Sequence, residues 1–166
     1  MLTGGEYITS VLFVCLGNIC RSPMAEGAFR AAAAQSGLDC HVDSAGTASY
    51  HIGDPPDPRA IAVARSNGVD IAGLAARQLK ADDFYRFTHV IALDRANLEG
   101  IKAHAPRDGT ATVALLLDAV DGRAGEPVPD PYYGDSADFE AAWQIITEGV
   151  ESLVQRLASA GSDPVA

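Results

Sequence analysis

Cys15, five intervening residues, Arg21, then Ser22 and Pro23, all directly after the apolar run Val11-Leu12-Phe13-Val14, make a pattern suited to phosphoryl chemistry. A sulfur nucleophile attacks phosphorus only where the phosphoryl oxygens are held and their charge is offset. Backbone N–H groups of a tight turn ending at a helix N-terminus form a concave anion site. Arg21 adds a planar fork able to grip two oxygens at once. The thiolate is the reactive form, and helix ends and nearby cations favour it. Gly17 permits close backbone approach or a positive φ, and Asn18 tolerates the left-handed region. Ser22 and Pro23 read as the N-cap and first residue of the following helix. The Ser22 hydroxyl is also near enough in sequence to donate to the Cys15 sulfur. Leu16, Ile19 and Cys20 complete the loop, and the amides of residues 16 to 21 are the expected oxygen-binding donors.

Transfer of a phosphoryl group to a thiolate also needs an acid for the leaving oxygen. Only Glu6 precedes Cys15 as a carboxylate, so the acid is sought downstream. Asp130 lies between Pro129 and Pro131 in VPDPYYGD, where two prolines restrict the backbone and present the side chain on a stiff loop. Tyr132 and Tyr133 beside it offer flat walls for a ring, with hydroxyls that stay wet. Asp54 and Asp57 in GDPPDPRA are rivals, yet Asp57-Pro58 reads as an N-cap followed by a first helical residue, a structural role.

The elements that must position these groups alternate strand and helix with short joints marked by Gly or Pro. That pattern yields a parallel sheet covered on both faces. The reading is strand 11–15, helix 22–35 stopped by Gly37, strand 40–44, helix 58–66 closed by Asn67-Gly68, a short helix 81–85, strand 88–93, helix 95–104 and strand 111–116. In the last helix Phe139, Ala142, Trp143, Ile146, Val150, Leu153, Val154 and Leu157 recur at three- and four-residue steps, one apolar stripe. Trp143 is therefore expected in the core. The fold class is α/β, a single three-layer domain over 1–166 with a four-stranded parallel sheet flanked by helices on both faces. An ordered core of about 9–158 is expected, with residues 1–8 and 159–166 frayed. Cys15 then ends strand one at the carboxyl edge of the sheet, where open α/β folds bind ligands, and Asp130 follows strand four over the same edge.

CLGNICRSPMAE near the start and DPYYGDSADFE near the end resemble the low-molecular-weight protein tyrosine phosphatases. VDSAGTASYHIGDPPDPRA at 42–60 and ARQL at 76–79 stand in that family's order and spacing. The resemblance implies dephosphorylation of phosphotyrosine through a phosphocysteine intermediate, with no metal or other cofactor. It assigns Cys15 as nucleophile, Arg21 as phosphate binder and transition-state stabiliser, and Asp130 as acid and then base. It also makes Asn18, Ser22 and Ser44 the hydrogen-bonding support of the loop, Tyr132 and Tyr133 its aromatic wall, and Leu16 and Tyr50 residues of the crevice mouth. One departure is Leu74, where the family often has a histidine supporting the loop asparagine; His51 and water are the candidate substitutes. The expected partner is a phosphotyrosine-containing protein or peptide, with a cognate tyrosine kinase upstream and the enzyme a monomer or weak dimer.

Composition agrees. A chain of 166 residues with 48% apolar content supports one core. A net charge of −10 argues against nucleic acid or an anionic membrane as partner. The longest apolar run near the start is VLFVCL, without a basic flank, so neither a membrane span nor a signal peptide is expected and the chain reads as cytoplasmic. Three cysteines make neither a closed disulfide framework nor a zinc motif. Cys20, on the same loop as Cys15, has two readings: a resolving thiol that captures a Cys15 sulfenic acid as a disulfide, or an apolar filler.

Arsenate reduction by the same loop needs two further cysteines downstream, and after Cys40 there are none. A silent phosphate-binding module would not need Cys15, Arg21 and an acid loop together. Phosphoarginine is a variant substrate, disfavoured because Ile19 is bulkier than the threonine that the arginine-specific branch resembles there. For phosphotyrosine hydrolysis the optimum is expected on the acidic side of neutral, since Cys15 must be ionised while Asp130 is protonated.

Overall fold

The computed structural model describes residues 8–162. In chain order it runs β1 (Thr9–Cys15), α1 (Arg21–Ser36), β2 (Cys40–Gly46), α2 (Pro58–Ser66), α3 (Asp83–Arg86), β3 (His89–Ala92), α4 (Arg95–His104), β4 (Thr112–Leu115), a 3-10 turn (Leu116–Ala119) and α5 (Ser136–Ser162). The four strands form one parallel sheet in the order β2-β1-β3-β4. Parallel strands need crossovers, and each crossover lays its helix on a face of the sheet.

Burial of β1 follows from that layout. Every residue from Ser10 to Cys15 is buried, and successive side chains point to opposite faces. Val11, Phe13 and Cys15 pack with Met24 and Phe29 of α1 and with Phe139, Trp143 and Ile146 of α5. Leu12 and Val14 enter a second core with Phe84, Phe87 and Ile101 on the other face. Phe13 and Phe29 meet edge to face at 5.6 Å between centroids. Full burial of side chains of this size stabilises by about 1.5–3 kcal/mol each, so both faces of the strand that carries Cys15 are held firmly. The apolar stripe of α5 is buried as expected from Phe139 to Val154, Trp143 included.

Helix ends supply the corrections. α1 starts at Arg21, with Cys20 at the N-cap and no side-chain cap, so Ser22 and Pro23 lie inside the first turn rather than at cap and first position. The Ser22 hydroxyl is committed to Cys15 and Asn18 instead, and the helix start is left without a side-chain acceptor. Asp57 does cap α2, accepting from the Arg59 amide at 2.8 Å, with Pro58 first in the helix. Gly37 ends α1 in the left-handed region at φ 68°. β2 continues two residues past the expected end because Gly46 pairs with Cys15. At the C-terminal end α5 continues to Ser162, past the expected core limit at 158; of the ends expected to fray, residues 1–7 and 163–166 lie outside the described residues. Among the described residues no helix is long and apolar enough to cross a membrane.

Candidate active site

The loop from Cys15 to Arg21 turns at Asn18, which takes φ 58°. Gly17 does not adopt a positive φ; its role is space, since a Cβ there would sit 3.0 Å from the His51 ring. Four of the loop carbonyls are taken up, three by segments outside the loop and one by the first turn of α1. Thr47 N–H donates to Cys15 O at 2.9 Å, Ala48 N–H to Leu16 O at 3.0 Å, Asp57 N–H to Ile19 O at 2.8 Å and Met24 N–H to Cys20 O at 3.2 Å. In a trans peptide the next N–H points the opposite way. The amides of Leu16, Gly17, Cys20 and Arg21 are thereby turned away from those partners. Close approach of β2 beneath the loop requires Gly46, where a Cβ would meet Leu16 O at 2.7 Å.

Beneath the loop a polar network runs from Cys15 into the core. The Arg77 amide donates to Asn18 Oδ1 at 3.0 Å, which fixes the amide orientation, because a backbone N–H can only donate. Asn18 Nδ2 then donates to Ser22 Oγ at 2.8 Å and to Ser44 Oγ at 2.9 Å. Ser44 passes its hydrogen to Glu26 Oε1 at 2.7 Å, and Ser22 has its hydrogen for Cys15 Sγ at 2.9 Å. A hydroxyl donor at that distance stabilises negative charge on the sulfur. Neither His51 nor Leu74 takes the part of the family histidine: His51 Nδ1 lies 3.3 Å from Asp54 Oδ2, and Leu74 packs against the core.

Arg21 is buried, and its guanidinium is placed by groups distant in sequence. Nη1 donates to Asp94 Oδ2 at 2.7 Å and to Val128 O at 2.9 Å, while Nη2 stands 3.6 Å from Asp130 Oδ2. Asp94 caps α4 with its other oxygen, accepting from Asn97 N–H at 2.7 Å. Asp130 Oδ1 accepts from Tyr132 N–H at 3.1 Å, so the half-exposed carboxylate is both tethered and open to the cleft.

The cleft measures about 240 Å³ and is lined by Cys15, Leu16, Gly17, Ile19, Cys20, Arg21, Tyr50, His51, Asp130, Tyr132 and Tyr133. Tyr132 and Tyr133 meet edge to face at 5.0 Å, and Tyr133 is 95% exposed, leaving one ring inside the wall and one at the mouth. Asn18, Ser22 and Ser44 lie buried beneath the cleft instead of lining it. Cys20 lines it, but burial first and then the charge of Asp57 push its thiol far above the ordinary value. Cys40 begins β2 opposite Thr9, whereas Cys15 ends β1 opposite Gly46; six residues along a strand separate the two by about 20 Å.

Asp94, Glu26 and the Arg77 amide had no role assigned from sequence. Asp94 carried a signal, since an aspartate immediately before the helix expected at 95–104 is a favoured N-cap. Glu26 carried another, a carboxylate among Met24, Ala25, Gly27 and Ala28. The Arg77 amide carried none, because a backbone group leaves no mark in residue type. His51 was considered only as a prop for Asn18 and instead lines the cleft.

Comparison with known proteins points the same way as the geometry. The sequence pattern of the low molecular weight phosphotyrosine protein phosphatases matches residues 10–162. The chain is 43% identical over 147 residues, 87% of its length and 93% of the relative's, to the Bacillus subtilis protein named low molecular weight protein-tyrosine-phosphatase YfkJ. The crystal structure of YfkJ superposes with a TM-score of 0.87 at 40% identity, covering 95% of this chain and 99% of that one. A Schizosaccharomyces pombe low molecular weight phosphotyrosine protein phosphatase is 38% identical over 151 residues, 89% of this chain and 96% of its own. A solved structure described as a Drosophila arginine phosphatase is also similar, with a TM-score of 0.82 at 33% identity over 89% of this chain and 96% of that one.

Proposed function

The chain belongs to the low molecular weight phosphotyrosine protein phosphatase family, and from that membership we propose that it hydrolyses phosphotyrosine in proteins or peptides through a phosphocysteine intermediate. The observation that carries the reading is the meeting of Cys15, Arg21 and Asp130 in one cleft walled by Tyr132 and Tyr133.

A dianionic phosphate monoester enters with its oxygens on the loop amides and the Arg21 fork. Cys15 Sγ attacks phosphorus in line with the phenolic oxygen, forming the S–P bond as the P–O bond breaks. Asp130, carrying its proton at that stage, gives it to the departing oxygen. Water then attacks the thiophosphate, Asp130 takes its proton, and inorganic phosphate leaves with the Cys15 thiolate restored. Ser22 stabilises the sulfur whenever it bears charge. Most of the rate enhancement comes from position and electrostatics, as in other phosphoryl transfers. The enzyme acts in the cytoplasm as a single domain, alone or as a weak dimer, opposite a tyrosine kinase. Cys20 keeps two readings, a resolving thiol for a Cys15 sulfenic acid or an apolar filler of the loop.

Steady-state rates on phosphotyrosine, phosphoserine and phosphoarginine peptides test the proposal with the wild type and Cys15→Ser. Selectivity for phosphotyrosine, abolished in the variant, is the expected result. Preference for phosphoarginine, or turnover that survives the loss of the sulfur, overturns it.

A further inference from the structure

Asp130 can serve as acid only if its loop is held over Cys15, and residues 128–134 have no helical or strand structure to hold them. One end of the segment is anchored at Val128, whose amide donates to Leu93 O at 2.8 Å and whose carbonyl accepts from Arg21. The other end is gripped by a single side chain of α2. Arg59 donates from Nη2 to Tyr132 O at 3.0 Å and from Nη1 to Gly134 O at 3.0 Å. It forks onto Asp57 through Nε at 3.0 Å and Nη2 at 2.9 Å. Its guanidinium carbon lies 4.5 Å from the ring centroid of buried Phe139 and 5.8 Å from that of Tyr132.

Asp57 is fixed in turn: its amide donates to Ile19 O of the phosphate loop at 2.8 Å, and its side chain caps α2. A continuous path thus runs from the phosphate loop through Asp57 and Arg59 to the carbonyls on the C-terminal side of Asp130. The planar fork suits this task, because it can satisfy a carboxylate and two carbonyls in one plane, where an ammonium offers one point charge. Building on the assignment of Asp130 as the acid, we infer that Arg59 is a positioning residue for the reaction, registering the Asp130 loop and the Tyr132 ring against the phosphate loop.

Misplacement of a catalytic group by about 1 Å can cost about 10²-fold. Arg59→Ala is therefore expected to lower kcat/KM on phosphotyrosine, which reports the step up to loss of the phenolic oxygen, by about 10- to 100-fold. An aryl phosphate with a strongly electron-withdrawing ring, whose leaving group needs little protonation, loses less than about threefold. The inhibition constant of inorganic phosphate stays within about twofold, because the loop amides and Arg21 are untouched. Arg59→Lys recovers little of the loss on phosphotyrosine, and Asp57→Asn, which keeps the helix cap but weakens the fork, shifts the same ratio in the same direction. Asp130→Asn is the reference. In that background Arg59→Ala adds little further loss on phosphotyrosine, the non-additivity of two residues acting through one step.

Losses that are equal on both substrates, additive with Asp130→Asn or absent overturn the inference, as does weakened phosphate binding with kcat retained. If Asp130→Asn itself lacks leaving-group dependence, the assignment of the acid fails and the inference falls with it. If Asp130→Asn shows that dependence and Arg59→Ala does not, the inference alone fails.

Discussion

Replacing Asn18 by alanine and by glycine separates two reasons why that residue stands at the turn of the phosphate loop. Asn18 is 3% exposed and holds φ 58°, a conformation that costs an ordinary side chain about 1–2 kcal/mol. Its amide also accepts from the Arg77 N–H and donates to two hydroxyls. Either substitution leaves the Arg77 donor without its acceptor, about 1–3 kcal/mol, and removes two neutral bonds of about 0.5–1.5 kcal/mol each. Both variants are thus expected to lose about 2–6 kcal/mol in urea unfolding at neutral pH. Glycine escapes the left-handed penalty but loses about 0.5–1 kcal/mol more chain entropy on folding, so Asn18→Ala falls below Asn18→Gly by roughly 0.5–1 kcal/mol. In both, kcat/KM drops about 10- to 100-fold, because the Ser22 hydroxyl that faces Cys15 is no longer oriented by Asn18. If alanine is as stable as glycine, the left-handed turn is not the constraint. If both stay within about 0.5 kcal/mol of the wild type, the network under the loop contributes nothing and the reasoning fails.

Asp130→Asn should lower kcat/KM on phosphotyrosine by about 10²–10⁴ and far less on an activated aryl phosphate; a Brønsted plot of kcat/KM over leaving groups that stays flat in the wild type and in the variant counts against the acid. Hydrogen bonds from Arg59 hold the Asp57 carboxyl below its ordinary value. The stabilisation from that pair is therefore fully present above the unfolded value of about 3.9 and is lost as pH falls through the lowered folded value. Asp57→Asn is expected to be less stable than the wild type at pH 7, with the gap closing in acid; a gap that widens toward low pH contradicts the sign. Burial, then Asp39, pushes the Cys40 thiol up to about 11, and burial holds Cys20 higher still. Iodoacetamide at pH 7 should consequently label Cys15 ahead of both, as read by peptide mass spectrometry, and earlier labelling of Cys20 would contradict the site as described.

Residues close together in the chain carried most of this protein in their order alone. Val11 to Val14 leading into Cys15, the Gly-Asn pair, the Asp57-Pro58 cap and the stripe from Phe139 to Leu157 each state a local backbone preference or a burial pattern, and each is legible within a few positions. The alternation of such segments implied the parallel sheet, and the sheet placed Cys15 and Asp130 at one edge. Tertiary structure decided which groups support them. Asp94 orients Arg21 across 73 positions, Val128 across 107, and the Arg77 amide supports Asn18 across 59. Ser22, readable as a helix cap, was drawn instead into the network under Cys15. These partners follow from strand order β2-β1-β3-β4 and from the crossovers that bring distant loops over the end of β1. A hydrogen bond needs a donor and an acceptor about 3 Å apart, and that proximity exists only once the strands between them have paired.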